Sequence, residues 1–285
     1  MKRALTIKQD VTQIATVERL TSVFEGIASI KISRIRDKVI ISKSFFDDLW
    51  QTYRELRINP DEQMKRPHRS KKDHGVIVAI TSEGRLSGGL IDEVKTKTEG
   101  LLKDSHGAVD VMVIGSHGYS VFEQQGIDVT YAYALPESDE RFDVEEIIYI
   151  LKEYDDITVL YQTYESLRVQ KVVAIELIAT IQQLGNEVES QSDAHIVSSK
   201  TFVFEPGISD IADQLESLMM EVALTQMIME SKLAQYASRF NAMNRAKHKA
   251  GEMKLGVTRE FYRAKRNESD ERLKETMKTL IRRMA

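Results

Sequence analysis

A glycine-rich turn is the first stretch of this chain whose residue types could do chemistry. Gly84-Arg-Leu-Ser-Gly-Gly89 comes after the apolar run Gly75–Ile80 and before a helical pattern. The backbone N–H groups of such a turn can bind phosphate at a helix N-terminus. However, the Gly-Lys-[Ser/Thr] ending of a phosphate-binding loop is missing, and so is the dinucleotide-binding spacing with its later acidic residue. We therefore interpret the glycines as places where backbone segments pack closely, and we predict no cofactor.

The other candidates for catalysis are isolated hydroxyl, imidazole and carboxyl groups. Ser116-His117 and Asp104-Ser105-His106 contain the residue types of a nucleophilic triad, but no Gly-x-Ser-x-Gly elbow surrounds either serine. None of the six histidines lies four residues from another, so a metal site is not predicted. The chain has no cysteine, which excludes disulfides and thiolate chemistry. The sequence therefore predicts no catalytic site of its own.

Two long amphipathic segments at the ends of the chain must position everything else. Residues 4–56 contain no proline and one glycine, and residues 208–285 contain no proline. If the second segment is one helix, roughly 75 residues at about 1.5 Å each reach on the order of 110 Å, which is longer than a small domain. Apolar residues recur mostly at steps of three and four in both segments. In the first they are Ile7, Val11, Ile14, Val17, Leu20, Phe24, Ile27 and Ile30, continuing through Ile35, Val39, Phe46 and Leu49. In the second they are Ile208, Ile211, Leu215, Leu218, Val222, Met229, Leu233, Tyr236, Phe240, Met243, Leu273, Met277, Leu280 and Met284. We predict an antiparallel coiled coil of the two segments, and the alternative is two ordinary core helices interrupted by turns.

The middle of the chain alternates between strand-like and helix-like patterns. Short β-branched runs are followed by amphipathic stretches, which is typical of an α/β layer with a mostly parallel sheet. The predicted strands are 75–80, 109–115, 129–134, 157–162, 167–177 and 200–204, and the predicted helices are 90–103, 119–124 and 142–151, with a loop at 184–194. We predict a Rossmann-like α/β domain at 75–205. A linker at 58–74 and helices at 1–57 and 206–285 complete the predicted domains.

Charge is distributed unevenly along the chain. The net charge of −4 gives no reason to expect a nucleic-acid partner. The segment from Arg239 to Arg266 is nevertheless strongly basic and is interrupted only by Glu252 and Glu260. No uncharged apolar run is long enough to cross a bilayer, so direct membrane insertion is not predicted.

At three places the chain resembles the gamma subunit of F-type ATP synthases. Ala28 and Lys31 fall on the Ala-x-x-Lys of that family's first helix. Thr81–Leu90 looks like its Ser-Thr-Asp-Arg-Gly-Leu-Cys-Gly-Gly-Leu, and residues 114–118 are similar to its Ile-Gly-Ser-Lys-Gly. Residues 204–206 open the last helix as its Tyr-Glu-Pro does, and Ala237, Arg239, Ala242 and Met243 fall in step with its Ala-Ala-Arg-Met-x-Ala-Met signature.

The chain also departs from that family in several positions. The family's Asp-Arg-Gly-Leu-Cys is Glu83-Gly84-Arg85-Leu86-Ser87 here, so the acidic residue is kept and the arginine is displaced by one. Its Ser-Glu before the signature is Ala234-Gln235, the first methionine of the signature is Phe240, and its small apolar tail is the basic run 278–284. These changes indicate a divergent or specialised member.

The resemblance implies a rotor shaft. The coiled coil of residues 1–57 and 208–285 would lie inside a hexamer of catalytic and non-catalytic nucleotide-binding subunits. The α/β domain would dock on a membrane ion-driven ring together with an epsilon-like accessory subunit. ATP chemistry would then belong to the hexamer, and the chain would be cytoplasmic, peripheral on the inner face of the cell membrane. Contacts with the hexamer are predicted at Arg85, Arg263, Lys265, Arg266, Arg239 and Lys31.

Two alternatives to that interpretation stay open on the sequence. One is a gamma-like shaft in an ATP-driven rotary machine without the usual ion-driven ring. The other is a coiled-coil scaffold with no rotary role.

Overall fold

Two long helices begin and end the described part of the chain. The computed structural model describes residues 4–57, 74–86, 88–105, 108–135, 143–154, 156–177 and 208–284. Helix α1 runs over Ala4–Arg57 and helix α5 over Ile208–Met284. Neither contains proline, and three glycines are too few to break helices of this length, since each costs about 1 kcal/mol relative to alanine. The prediction of two long terminal helices is confirmed.

By its internal contacts the chain divides into two units. The first, here called the helical unit, combines residues 1–29 with residues 239–285. The second, the sheet unit, comprises residues 30–238. Each unit takes a part of both long helices. The domain boundaries that we placed at residues 57, 75 and 206 follow secondary structure instead, and they stay a prediction.

The sheet unit contains a five-stranded sheet with strand order β3-β2-β1-β4-β5. Strands β1, β2, β3 and β4 run parallel to one another, and β5, which pairs with β4, is antiparallel. The mostly parallel α/β prediction is therefore confirmed. The elements are β1 Gly75–Ile80, α2 Leu90–Asp104, β2 Val109–Ile114, α3 Ser116–Gln124, β3 Tyr131–Tyr133, α4 Glu145–Leu151, β4 Ile157–Tyr164 and β5 Gln170–Glu176.

Several element ends differ from the sequence prediction. Helix α3 begins at Ser116 instead of residue 119, because a carboxylate caps its first turn. Strand β5 begins at Gln170 instead of residue 167, because residues 166–169 form the tight turn that joins it to β4. Strand β3 and helix α4 are shorter than predicted. The predicted loop at 184–194 and strand at 200–204 lie outside the described residues.

Two apolar layers cover the two faces of the sheet. Alternate residues of β1 enter different layers, since Val76, Val78 and Ile80 lie on one face and Ile77 and Ala79 on the other. Helices α2 and α3 cover the second face. Helix α4 and the first part of α5 cover the first face, and α5 contributes Met219, Met220, Ala223, Leu224, Met227 and Ile228. A long stretch of α5 is thus part of a globular core.

The helical unit is an antiparallel pair of helix segments. The backbone N–H of Ala4 donates to Glu268 Oε1 at 2.9 Å, and Lys254 Nζ donates to Glu18 Oε2 at 2.9 Å. Glu25 Oε2 accepts from Lys247 Nζ at 2.8 Å. Partner numbers on α5 fall by the same amount as numbers on α1 rise. This constant register confirms the predicted antiparallel pairing within the helical unit.

The predicted apolar stripe of α1 is correct as far as Ile14 and again at the buried Ile35 and Leu49, and it is wrong from Val17 to Ile30. Val17, Leu20, Phe24 and Ile27 are between 41% and 53% exposed. The packed side instead repeats every seven residues, at Ala4, Ile7, Val11, Ile14, Glu18, Thr21, Glu25 and Ala28. Each three-residue step in the predicted stripe turns it back around the helix by about 60°, because a residue advances about 100°. The seven-residue pattern stays on the seam.

Candidate functional site

The residues just before the glycine-rich turn contact the N-terminus of α3, and the carboxylate of Glu83 caps that helix. Glu83 Oε2 accepts the backbone N–H of Ser116 at 2.9 Å and that of Leu135 at 3.0 Å. Burial alone would raise the pKa of Glu83, but the hydrogen bonds from Ser116 and Leu135 outweigh it and hold this pKa below its ordinary value. A carboxylate at a helix N-terminus is also favoured by the helix dipole. Glu83 is thus used inside the chain, as a cap at the N-terminus of α3.

Two glycines of these motifs are required by close approach. A Cβ on Gly118 would lie 1.9 Å from Thr81 Oγ1, and Thr81 is fully buried. A Cβ on Gly88 would lie 2.7 Å from Ser238 Oγ, and Gly88 has φ +68°. Both contacts lie within the sheet unit. The interpretation that the glycines of the turn allow close packing is confirmed at Gly88 and wrong at Gly89, where a Cβ would meet nothing within 4 Å.

A buried polar network joins α5 to the carboxyl ends of β1 and β4. Gln235 Nε2 donates to the carbonyl oxygen of Thr81 at 3.0 Å and to Gln162 Oε1 at 3.1 Å. Gln162 Nε2 in turn donates to the carbonyl oxygen of Ile80 at 2.9 Å. Ser231 Oγ donates to Gln162 Oε1 and accepts from Gln235 Nε2 at 2.9 Å. Together with the contact between Gly88 and Ser238, this network holds the Thr81–Leu90 stretch next to α5.

A second polar cluster lies at the opposite, amino edge of the sheet. Asp110 Oδ2 accepts from Tyr154 Oη at 2.5 Å and lies 3.1 Å from His74 Nε2, and Asp110 Oδ1 accepts from Thr130 Oγ1 at 3.3 Å. Burial would raise the pKa of Asp110, but these hydrogen bonds outweigh burial and lower it. Desolvation and the Asp110 carboxylate raise the pKa of Tyr154. No described group of three His, Asp or Glu side chains is arranged to hold a metal ion.

The six basic residues predicted as contacts are not all in one place. Arg263, Lys265 and Arg266 are exposed and line one open depression of the helical unit, together with Arg259, Tyr262 and Ser269. Arg85 is exposed in the turn of the sheet unit, next to Leu86, which has φ +74°.

The other two predicted residues, Lys31 and Arg239, are half-buried. Each already has a polar or electrostatic interaction within the chain.

Part of the basic segment is used inside the helical unit, which sequence reasoning missed. Lys247 pairs with Glu25, and Lys254 pairs with Glu18. The hydrogen bonds from Lys247 and Asn244 lower the pKa of Glu25. The signal that could have revealed these pairs is the seven-residue repeat, because Glu18 and Glu25 occupy its seam positions.

Apolar side chains of the helical unit are left on its surface. Besides the face of α1 that carries Val17, Leu20, Phe24 and Ile27, the end of α5 exposes apolar residues at helical spacing. These are Leu273, Met277, Leu280, Ile281 and Met284. Exposed apolar faces of this kind mark sites where another protein binds. Among the described residues, no helix is long and apolar enough to cross a membrane.

The fold combines an α/β sheet with two long helices, and its exposed basic and apolar faces are of the kind that bind other proteins. This is the class of a protein-binding subunit. The family model described as ATP synthase matches residues 4–275 of the chain. The chain belongs to this ATP synthase family.

Named relatives agree with this assignment. The chain is 24% identical over 275 residues to the ATP synthase gamma chain of Chlorobium phaeobacteroides, and the alignment covers 91% of each chain. It is 25% identical over 260 residues to the ATP synthase gamma chain of Psychrobacter cryohalolentis, covering 87% of each.

Two solved structures share the fold. One is the central stalk/c-ring structure of the Tetrahymena thermophila mitochondrial ATP synthase, with TM-score 0.58 and 16% identity, covering 80% of this chain and 99% of that one. The other is the rotor of the Euglena gracilis mitochondrial ATP synthase, with TM-score 0.59 and 15% identity, covering 92% and 98%. At these identities the likeness establishes the fold.

Proposed function

We propose that this chain is the central-stalk rotor shaft, the gamma subunit, of an F-type rotary ATPase or ATP synthase. The observation that carries the proposal is the family match over residues 4–275, which spans both long helices and the sheet. The named relatives are ATP synthase gamma chains, and the structural neighbours are a central stalk and a rotor. The chain itself is a non-catalytic subunit in this proposal.

The exposed faces of the helical unit supply the surface that such a shaft needs. A hexamer of catalytic and non-catalytic nucleotide-binding subunits would cover the apolar face of α1 at Val17, Leu20 and Phe24, and the apolar end of α5. The surface of the helical unit differs from one side to the other, so each rotational angle would favour different conformations of the surrounding subunits. Turning the shaft would then shift the affinities of those subunits for nucleotide.

The exposed basic residues are the proposed polar contacts with that hexamer. Arg263, Lys265 and Arg266 line one depression, which suits an acidic segment of a partner subunit. Arg85 extends from the turn of the sheet unit and is proposed as a separate contact. Arg239 and Lys31 stay in the proposal with smaller expected effects, because each already interacts within the chain.

The remaining proposed partners would bind the sheet unit. We propose that it docks on a membrane ion-driven ring with an epsilon-like accessory subunit, which would hold the chain peripherally at the inner face of the cell membrane. The ring is supported by the c-ring named with the Tetrahymena structure.

Purification of the tagged chain from its own cells tests the proposal. Nucleotide-binding subunits in threefold excess over the chain are the expected result. Recovery of the chain alone or as a homodimer would overturn the rotary function. The contact residues are tested by the pair Arg263→Glu and Arg266→Glu, which should weaken assembly at low salt, and the difference from the unaltered chain should shrink at high salt because salt screens these charges. The matched control is Lys103→Glu with Arg168→Glu, which makes the same charge change on exposed positions of the sheet unit.

A further inference from the structure

The network between α5 and the sheet is buried, uncharged and fully internal to the sheet unit. Gln162, Ser231 and Thr81 are at most 1% exposed, and Gln235 is 6% exposed. Buried amides are costly when they lose a partner, so the arrangement that satisfies them is strongly preferred over any other. Sequence reasoning gave these residues no role.

Apolar packing alone would hold α5 on the sheet without fixing its angle. The contacts of Ala223, Leu224 and Ile228 bury surface, and such burial is non-directional. Hydrogen bonds require a donor, an acceptor and an angle, so they fix a position. From α5, Gln235 donates to the carbonyl oxygen of Thr81 and to Gln162, and Ser231 also donates to Gln162, so a rotation or axial shift of α5 would break several bonds together.

The face of α5 that carries Ser231 and Gln235 continues one turn further, to Ser238. Ser231, Gln235 and Ser238 follow one another at steps of four and three, which places them on one side of the helix. Ser238 packs directly against Gly88, where a side chain would not fit. Ala234 and Ala237, on the same turns of α5, are fully buried.

We propose that the Gln162–Ser231–Gln235 network is a register lock, which holds α5 at one rotational and axial position on the sheet and carries torque between them. The torque part rests on the proposed function, whereas the register part concerns the chain alone. In this proposal Gln162, Ser231 and Gln235 are positioning residues, and their side chains make no contact with nucleotide.

The absence of cysteine allows a direct test on the full-length chain. Ser120→Cys on α3 and Gln226→Cys on α5 introduce two spin-label sites, both in the sheet unit, for a pulsed electron-electron distance measurement. The unaltered network should give one narrow distance. Gln162→Leu or Gln235→Leu should lose that single distance, with a broad or second population in the folded protein. Ser231→Ala, which changes little volume, should give a smaller broadening and provides a variant that folds if the glutamine variants do not.

A control separates register from stability. Ile228→Val removes one methylene from the same helix, lowers the Tm and leaves the network intact. The proposal is overturned if the network variants keep the single narrow distance, or if Ile228→Val broadens it equally.

In the assembled complex, the same network variants should lose torque on a bead attached to the sheet unit while ATP hydrolysis continues. Full torque in Gln162→Leu and Gln235→Leu would overturn the torque part. Failure of the unaltered chain to assemble with a hexamer would instead count against the proposed function. The distance measurement on the chain alone would still test the register part.

Discussion

The helical unit and the sheet unit hold the same two helices in opposite ways. In the sheet unit, α5 is buried against strands, and the network that Ser231 and Gln235 form with Gln162 is uncharged and nearly inaccessible. In the helical unit, Glu–Lys pairs occupy the seam, while apolar residues such as Leu20 and Leu273 face solvent. The strands and the part of α5 packed on them therefore bury their large apolar side chains, whereas the helical unit exposes rows of them.

Truncation of a core leucine should have the largest effect and sharpens this comparison most. Leu224→Ala in the sheet unit should lower the free energy of unfolding by about 2–5 kcal/mol, because it leaves a cavity in a core. Leu273→Ala, its match in the helical unit, should change it by less than about 0.5 kcal/mol, since this residue is exposed in the isolated chain. Urea unfolding of both variants provides the measurement. Equal losses would contradict the contrast between the units.

A methyl group on Gly118 should have the next largest effect. Gly118→Ala should destabilise the sheet unit by about 1–3 kcal/mol, because the added Cβ meets the buried Thr81. The control is Gly100→Ala on α2, where a Cβ has open space, and it should stabilise by about 0.5–1 kcal/mol. Thermal unfolding of the pair checks the sign. A stabilised Gly118→Ala variant would show that the turn does not pack on α3 as described.

Acid should weaken the sheet unit through Asp110. Its pKa is lowered in the folded chain, so its contribution is present above the unfolded value of about 3.9 and is lost as the pH falls through the folded pKa. Asp110→Asn should therefore lose stability at pH 7 and show a smaller further loss than the unaltered chain below about pH 4. Tyr154→Phe should give a weaker version of the same change. The measurement is the free energy of unfolding as a function of pH for each variant and the unaltered chain. The same pH dependence in Asp110→Asn and the unaltered chain would exclude the role of Asp110.

Removal of a seam charge pair should have the smallest effect. Glu25→Gln should lower stability by only about 0.2–1 kcal/mol, because Lys247 is partly exposed and the pair is screened by solvent. The difference from the unaltered chain should shrink further in high salt. Circular dichroism melting at two salt concentrations measures it. A large loss of stability that does not change with salt would contradict this expectation. It would mean that the Glu25–Lys247 pair matters to the helical unit as much as the apolar core matters to the sheet unit.

The parts of the fold that were predictable are those that follow from local pattern. Long proline-free segments gave the two helices, and β-branched runs gave the parallel strands. The seam between Ile14 and Ala28 could not be found from apolar periodicity, because Glu18 and Glu25 occupy it. Gln162 and Gln235 are 73 residues apart, and nothing local marks their pairing. Arg263, Lys265 and Arg266 were recognised as a basic group, and their hexamer contacts stay predictions.

Rotation of the assembled complex tests the central claim most directly. The hexamer would be fixed to a surface and a bead attached to a cysteine introduced at exposed Ser120 of the sheet unit, which the cysteine-free sequence allows. We predict stepwise rotation of the bead in one direction when ATP is added. A complex that hydrolyses ATP while the bead stays still would contradict a rotor role for this chain.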